Sequence, residues 1–190
     1  IKEPGIGASV AWHRDGTTHW DSPDFDEGTH GFNFMAQLYG CTSANGVWVV
    51  PGSHKERYVD IADMVTRAGS ERIEEAIPMI CNPGDVVISN RQAVHGSFAN
   101  TSSDWRITIN QGFHRRKSVL GVKGGGLHGK PAVYDAERII ERSKIIKLAI
   151  EARKQRFPYE QAFEYKPLSA STEDFTWNAA ARKSLHDYNL

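Results

Sequence analysis

The chain has 190 residues, of which 39% are hydrophobic and 10% aromatic, so it is long enough to bury the core of a globular domain. Its 23 basic and 23 acidic residues cancel, which argues against the electropositive surface of a protein that binds nucleic acid or a membrane and leaves a small molecule as the expected partner. No apolar run approaches the roughly 20 residues that span a bilayer and no signal segment opens the chain, so we expect a cytoplasmic protein.

The cysteines and the first residue bear on the state of the complete protein. Cys41 and Cys81 are too few for a disulfide framework, so reduced and buried thiols are expected. The chain begins at Ile1 and not at a methionine, and His13 follows almost at once. We therefore expect that N-terminal sequence is missing.

Alternation of side chains predicts the first two strands. Residues 6–13 are small, apolar or β-branched, which favours a strand. Residues 16–30 are polar and rich in turn formers, which predicts a long loop, and such loops often serve as lids. Residues 31–39 alternate again, with phenylalanines on one face and a mixed set that includes Met35 and Gln37 on the other. The mixed face is a candidate pocket wall, although core packing explains Met35 at least as well.

Further strands are predicted where short apolar runs end in turns. They cover residues 47–50, 77–81, 85–89 and 105–113. Scattered apolar positions between residues 60 and 76 indicate one or two short helices. In the last strand Arg106, Thr108 and Asn110 share one face, and a polar face that points inward requires a reason such as a ligand cavity.

The order of these elements predicts the fold class. Short strands joined by turns favour an antiparallel sandwich or barrel. Asp135 precedes an amphipathic pattern that continues to Arg156, which predicts a capped helix. We therefore predict a mainly β protein with flanking helices. It would form one domain over residues 1–190, with a barrel core over about residues 6–117 and a C-terminal helical extension over residues 131–190.

A candidate metal site begins at the end of the first predicted strand. His13 and Asp15 are two positions apart, so strand alternation points both side chains to the same face. A second imidazole from a remote strand, for which His95 is the candidate, would complete a two-histidine, one-carboxylate face that suits ferrous iron. A His-x-Asp pair by itself is most often a hydrogen-bonded surface pair, so the assignment depends on the neighbouring motifs.

Several motifs follow one another along residues 8–115. They are His13-Arg14-Asp15, Asn45-Gly46, the segment Val49-Val50-Pro51-Gly52-Ser53-His54-Lys55, Pro83-Gly84-Asp85, His95-Gly96-Ser97 and Arg106. In order and approximate spacing they resemble the phytanoyl-CoA dioxygenase family of iron(II)- and 2-oxoglutarate-dependent oxygenases. The resemblance implies a double-stranded β-helix, which is a jelly-roll barrel of the cupin type.

The resemblance also implies roles for individual residues. His13, Asp15 and His95 would bind Fe(II), and Arg106 would receive the distal carboxylate of 2-oxoglutarate. Further candidates for contact with this cosubstrate are Thr108, Ser97 and Gln37. The implied reaction consumes O2, hydroxylates an unactivated carbon of a small organic or acyl substrate and releases succinate and CO2, with ascorbate as a candidate stimulant.

Other functions stay open on the sequence alone. A non-catalytic β-barrel module could keep the fold and the metal without turnover. A zinc hydrolase would act without oxygen or 2-oxoglutarate, but it would leave Arg106 and Thr108 without an obvious role. Related halogenating members carry a small residue at the position of Asp15, so hydroxylation is favoured here. Arg14 differs from the polar residues that relatives often carry between the ligands, which puts a contribution of this position to substrate binding in doubt.

Overall fold

The computed structural model describes residues 1–15, 30–125 and 131–185. The chain divides into two compact units, residues 1–118 and residues 119–190. The loop predicted over residues 16–30 lies outside the described residues, except for His30. The single domain over residues 1–190 stays a prediction.

The first unit is built from short antiparallel strands. They are β1 (Val10–His13), β2 (Gly31–Gln37), β3 (Val47–Val49), β4 (Ile77–Pro78), β5 (Val86–Asn90), β6 (His95–Ser97) and β7 (Thr108–His114). Its helical segments are α1 (Ile61–Ala68), the short α2 (Arg116–Val119) at its boundary, and a 3-10 turn over Ser53–Lys55.

The strands form two sheets, and the chain passes back and forth between them. The strand orders are β1-β6-β3-β4 in one sheet and β5-β2-β7 in the other, and the paired strands are antiparallel. Because β1, β3, β4 and β6 lie in the first sheet while β2, β5 and β7 lie in the second, the chain winds as in a jelly roll. The prediction of a mainly β, jelly-roll fold with flanking helices is confirmed.

In β2 the more polar face is buried, and the face that carries the phenylalanines is more exposed. Asn33, Met35 and Gln37 are buried, with Asn33 only 3% exposed, whereas Phe32 on the other face is 37% exposed. Because buried polar groups require hydrogen-bond partners, this inner face must hold a polar network or a ligand. The mixed face predicted to line a pocket is therefore the inner face of this sheet.

Several strands are shorter than predicted, each for a local reason. β1 begins at Val10 and not at residue 6, since Gly5 and Gly7 have φ angles of 65° and 115° that turn the chain. β7 begins at Thr108, because Arg106 pairs instead with Lys2 in an isolated antiparallel bridge.

The hydrophobic core of the first unit lies under the sheet that contains β1. Its fully buried members are Val50, Ile73, Ala76 and Val94, and tryptophans at positions 12 and 48 pack against them. Helix α1 covers part of this cluster, and it is capped by the Asp60 carboxylate, which accepts from the Asp63 amide. This core supports the two strands that carry the candidate metal ligands.

The two cysteines face each other across a pair of backbone hydrogen bonds. The Cys41 amide donates to the Cys81 carbonyl at 2.9 Å, and the reverse bond is 3.0 Å long. Both thiols are free and buried, and the Cys41 thiol donates to the Met79 carbonyl. Burial, with the neighbouring Cys81 thiol, raises the pKa of Cys41 to about 12. Cys41 therefore keeps its proton at neutral pH.

The second unit is organised around one long helix. Helix α3 (Ala136–Arg156) begins after Asp135, whose carboxylate accepts from the Arg138 amide, so the predicted capped helix is confirmed. Leu148 packs with Leu168 and Phe175 from the tail, which also contains α4 (Ala179–Ser184). A hairpin of β8 (Lys123–Gly125) and β9 (Pro131–Val133) was not predicted, because glycine-rich sequence is atypical of strands. Among the described helices, none is long and apolar enough to cross a membrane.

Candidate functional site

Strand pairing brings the three predicted metal ligands together. β1 and β6 are antiparallel neighbours in which His13 is directly opposite His95, and their ring centroids are 4.3 Å apart. Asp15 follows β1 by two residues and points to the same side. One Asp15 oxygen, Oδ1, lies 3.4 Å from His13 Nε2, and the other, Oδ2, lies 3.9 Å from His95 Nε2. The three potential ligand atoms all lie within 4.8 Å of one another.

The backbone determines which imidazole nitrogen faces the centre of this cluster. His13 Nδ1 lies 2.7 Å from the Ala11 carbonyl oxygen, and His95 Nδ1 lies 3.0 Å from the Ala93 carbonyl oxygen. Because a carbonyl only accepts, each Nδ1 carries a proton, so that in the neutral ring Nε2 holds the lone pair. Both Nε2 atoms face the carboxylate of Asp15, which is the arrangement in which all three groups can bind one cation. Metal-binding histidines are oriented by such bonds.

The donor set fits a divalent transition metal. Two neutral imidazoles and one carboxylate from three points on one side form the facial arrangement used by non-haem iron(II) proteins, which leaves the opposite positions open. The side chains of Asp15 and His95 are 21% and 18% exposed and that of His13 is 39% exposed, so solutes can reach the cluster. A search of the described residues for three or more His, Cys, Asp or Glu side chains close enough to share a metal ion finds this cluster.

Arg14, between two of these ligands, points away from them. Its guanidinium donates to the backbone carbonyls of Ser53, Glu56 and Arg57, with lengths of 2.6 Å to Glu56 and 3.1 Å to Arg57. The residue is only 8% exposed, and burial lowers its pKa. Arg14 therefore ties the segment after β3 to the strand that carries the ligands, which gives this position a structural role.

We expect Arg14→Met to destabilise the protein by about 3 kcal/mol, because a hydrogen bond to a charged group contributes about 1.5–3 kcal/mol and the buried Ser53 carbonyl would lose its donor, while water can replace part of the bonds to the exposed residues Glu56 and Arg57. Urea unfolding followed by circular dichroism measures this loss. Arg67→Met, which removes an exposed arginine of α1 that pairs with Asp63, is the matched control and should leave stability almost unchanged, because exposed ion pairs contribute little. Equal stability of the two variants would contradict the anchoring role of Arg14.

Of the predicted cosubstrate residues, Gln37 and Thr108 lie on the other sheet, Arg106 lies two residues before Thr108, and Ser97 lies in β6. Arg106 is surrounded by protein, yet its Nε and Nη1 atoms are buried without a hydrogen-bond partner among the described residues. Burial lowers the pKa of Arg106. Lys2 lies nearby, and its own pKa is lowered first by burial and then by the charge of Arg106. Buried donors on a cation without a partner mark a place where an anion fits.

Thr108 and Gln37 are also brought together. The Thr108 hydroxyl donates to the Gln37 side-chain oxygen at 2.7 Å, across the directly paired strands β2 and β7. The hydroxyl is therefore paired within the protein, and its predicted donation to the cosubstrate would require it to rotate. Ser97 is buried and lies two residues after His95 in β6, so it shares the face of that ligand.

Both groups of residues lie along the inner face of β2. Asn33 contacts Asp15, and Gln37 on the same face contacts Thr108. Four residues of strand separate them, which corresponds to about 13 Å.

Two residues that contact Asp15 were not predicted. Asn33 donates to Asp15 Oδ2 at 2.7 Å, and Arg91 lies beside the same oxygen. The polar character of Asn33 on a buried face was a signal for the first of them. No feature of the sequence indicated a role for Arg91, because an arginine in a turn is usually exposed to solvent.

Comparisons with known proteins give one consistent family. The family model for phytanoyl-CoA dioxygenase (PhyH) matches residues 1–108. Phytanoyl-CoA dioxygenase 1 of Oryza sativa subsp. japonica is 30% identical over 110 residues, which are 54% of this chain and 37% of that protein. Dioxygenase cdmD of Talaromyces verruculosus is 36% identical over 109 residues, which are 55% of this chain and 33% of that protein.

The likeness to solved structures covers a similar part of the chain. The crystal structure of EvdMO1 is 31% identical with a TM-score of 0.47, over 60% of this chain and 25% of that one. The matched part of the chain spans 37% of phytanoyl-CoA dioxygenase 1 and 33% of dioxygenase cdmD, which is about a third of each relative's length.

Proposed function

Because the chain belongs to the phytanoyl-CoA dioxygenase family, as its motifs predicted, we propose that it is an Fe(II)- and 2-oxoglutarate-dependent oxygenase that hydroxylates a small organic or acyl substrate. One observation carries the proposal. Asp15 of the ligand cluster contacts Asn33 on the inner face of β2, and Thr108, two residues after the unpartnered Arg106, contacts Gln37 on the same face, which supports a metal and a dianion being held together.

His13, Asp15 and His95 would hold the iron. When bound, ferrous iron supplies the open coordination positions and the redox chemistry by which O2 and 2-oxoglutarate are consumed and succinate and CO2 released. The protein keeps both Nε2 lone pairs available through the carbonyls of Ala11 and Ala93. A ligand set with one negative charge leaves the bound ion with a net positive charge, which attracts an anionic cosubstrate.

Arg106 would bind the distal carboxylate of 2-oxoglutarate. A planar guanidinium offers paired donors to a carboxylate, and two of its donor nitrogens are buried and without partners in the described part of the chain. Thr108, Gln37 and Ser97 are the candidates to border this carboxylate. Excluding water would strengthen the hydrogen bonds between Arg106 and this carboxylate, because charge-assisted hydrogen bonds are stronger in a low dielectric.

The proposal is tested by turnover of the chain supplied with Fe(II), ascorbate, O2 and 2-oxoglutarate across a panel of small organic acids and acyl thioesters. We expect succinate formation that depends on iron and rises with a suitable substrate. If the folded, iron-loaded protein consumes no 2-oxoglutarate with any substrate, the proposed oxygenase activity is contradicted. Binding of iron and 2-oxoglutarate without succinate would instead favour a non-catalytic binding module, and oxygen-independent activity with zinc would favour a hydrolase.

A further inference from the structure

Asp15 is held by two hydrogen bonds, one to its carboxylate and one from its backbone amide. Asn33 Nδ2 donates to Asp15 Oδ2 at 2.7 Å, while the Asp15 amide donates to the Arg91 carbonyl at 3.0 Å. The other oxygen, Oδ1, is the one closer to His13 Nε2. The two oxygens therefore have different surroundings, since Oδ2 accepts from Asn33 and lies 3.9 Å from His95 Nε2, whereas Oδ1 lies 3.4 Å from His13 Nε2.

Arg91 determines the orientation of Asn33. Arg91 Nη1 donates to Asn33 Oδ1 at 2.7 Å, and Arg91 Nη2 lies 3.8 Å from Asp15 Oδ2. Because arginine only donates and a carboxylate only accepts, the Asn33 amide has one orientation that satisfies both neighbours. The three side chains thus form a chain from guanidinium to amide to carboxylate.

Two glycines make room for Arg91. A Cβ atom at Gly112 would clash with Arg91 Nη1 and lie 3.3 Å from its Cζ, and a Cβ atom at Gly31 would lie 3.0 Å from its Cδ. Gly112 is directly opposite Asn33 in the pairing of β2 with β7. The Arg91 side chain therefore lies across the sheet in a groove that any other residue at position 112 would fill.

We propose that Asn33 and Arg91 are positioning residues that hold Asp15 so that only Oδ1 is offered to the metal. The inference rests on the proposed function, because it concerns the metal that His13, Asp15 and His95 would bind. Oδ2 already accepts from Asn33 and lies next to a positive charge, so a second bond from this oxygen to a metal would have to compete with both. A carboxylate that binds through one oxygen keeps one more coordination position free for the cosubstrates.

Cobalt(II) titration of the purified chain, followed by its visible d–d absorption, tests this role without turnover. Asn33→Ala and Arg91→Met are each expected to weaken Co(II) affinity about 10- to 100-fold, as for other residues that orient a metal ligand. They should also change the intensity of the absorption band, because a carboxylate free to rotate can bind through both oxygens. Arg91→Lys, which keeps the charge and loses the planar fork, should recover part of the affinity.

Gly112→Ala is a second, independent variant. It removes no polar side chain but displaces the Arg91 guanidinium, so we expect it to weaken Co(II) binding in the same direction as Arg91→Met. Asn82→Ala, at an exposed position between β4 and β5, is the control and should bind Co(II) as the unaltered chain does. Circular dichroism confirms that each variant is folded before titration.

The outcomes separate the two proposals. Folded Asn33→Ala, Arg91→Met and Gly112→Ala variants with unaltered affinity and an unaltered absorption band would overturn the positioning role, while the proposed function would stand. Failure of the unaltered chain to bind Co(II) or Fe(II) would overturn both. Weakened binding in these variants with normal binding in Asn82→Ala would support the positioning role.

Discussion

Asp15→Ala is expected to abolish hydroxylation and to lower metal affinity by more than about 100-fold, because loss of a residue that merely orients a ligand already costs about 10- to 100-fold. The variant removes the only negative charge among the three ligands. It also opens a position at the metal, where chloride could bind. Succinate and product formation, together with the iron content of the purified variant, measure the effect.

The matched control for Asp15→Ala is Asp63→Ala. Asp63 is an exposed aspartate of α1 that pairs with Arg67, away from the ligand cluster. This control should keep its iron and its turnover. Unchanged hydroxylation in Asp15→Ala would refute the ligand assignment, and halogenation of the substrate in the presence of chloride would support it directly.

Arg106→Met is expected to weaken the binding of 2-oxoglutarate and at the same time to raise the stability of the protein without it. The KM for 2-oxoglutarate should rise about 100-fold or more, because a bidentate carboxylate loses two charge-assisted hydrogen bonds of about 1.5–3 kcal/mol each. In the absence of cosubstrate the same variant should be more stable by about 1 kcal/mol. The reason is that Nε and Nη1 of Arg106 are buried without partners in the described residues, and an apolar side chain of similar volume does not carry that cost.

Thermal unfolding with and without 2-oxoglutarate measures both effects. For a chain of this size about 1 kcal/mol corresponds to a rise in Tm of about 2–4 °C. We expect Arg106→Met to start from the higher Tm and to show no further rise on addition of 2-oxoglutarate, whereas the unaltered chain is stabilised by its ligand. Arg106→Lys keeps a charge without the fork and should bind 2-oxoglutarate weakly. A normal KM in Arg106→Met would show that another residue binds the distal carboxylate.

Much of the candidate site could be predicted because it depends on local geometry. Strand alternation is a property of consecutive residues, so it was enough to place His13 and Asp15 on one side. The same reasoning grouped Asn33, Met35 and Gln37 on one face of β2. It proposed that mixed face only as a candidate pocket wall, since burial depends on the sheet that packs against it.

Strand boundaries were predicted less well because they depend on partners. Arg106 was assigned to the last strand, and its place next to Lys2 depends on a pairing across more than a hundred residues of chain. The tail after residue 157 gave no pattern. Its order depends on Leu168 and Phe175 packing against Leu148 of α3, and such contacts leave no period in the sequence.

By itself, the sequence determined the family, the identity of the candidate ligands and the faces on which they lie, because motifs and alternation are written in neighbouring residues. Only the tertiary structure decided which side chains meet. Asn33 and Arg91 are 58 positions apart, yet they share a 2.7 Å hydrogen bond beside Asp15. That contact exists because β2 and β7 pair in a register that sets Gly112 opposite Asn33 and so leaves space for a guanidinium. Register is a property of two strands together, which is why no single stretch of this sequence could reveal it.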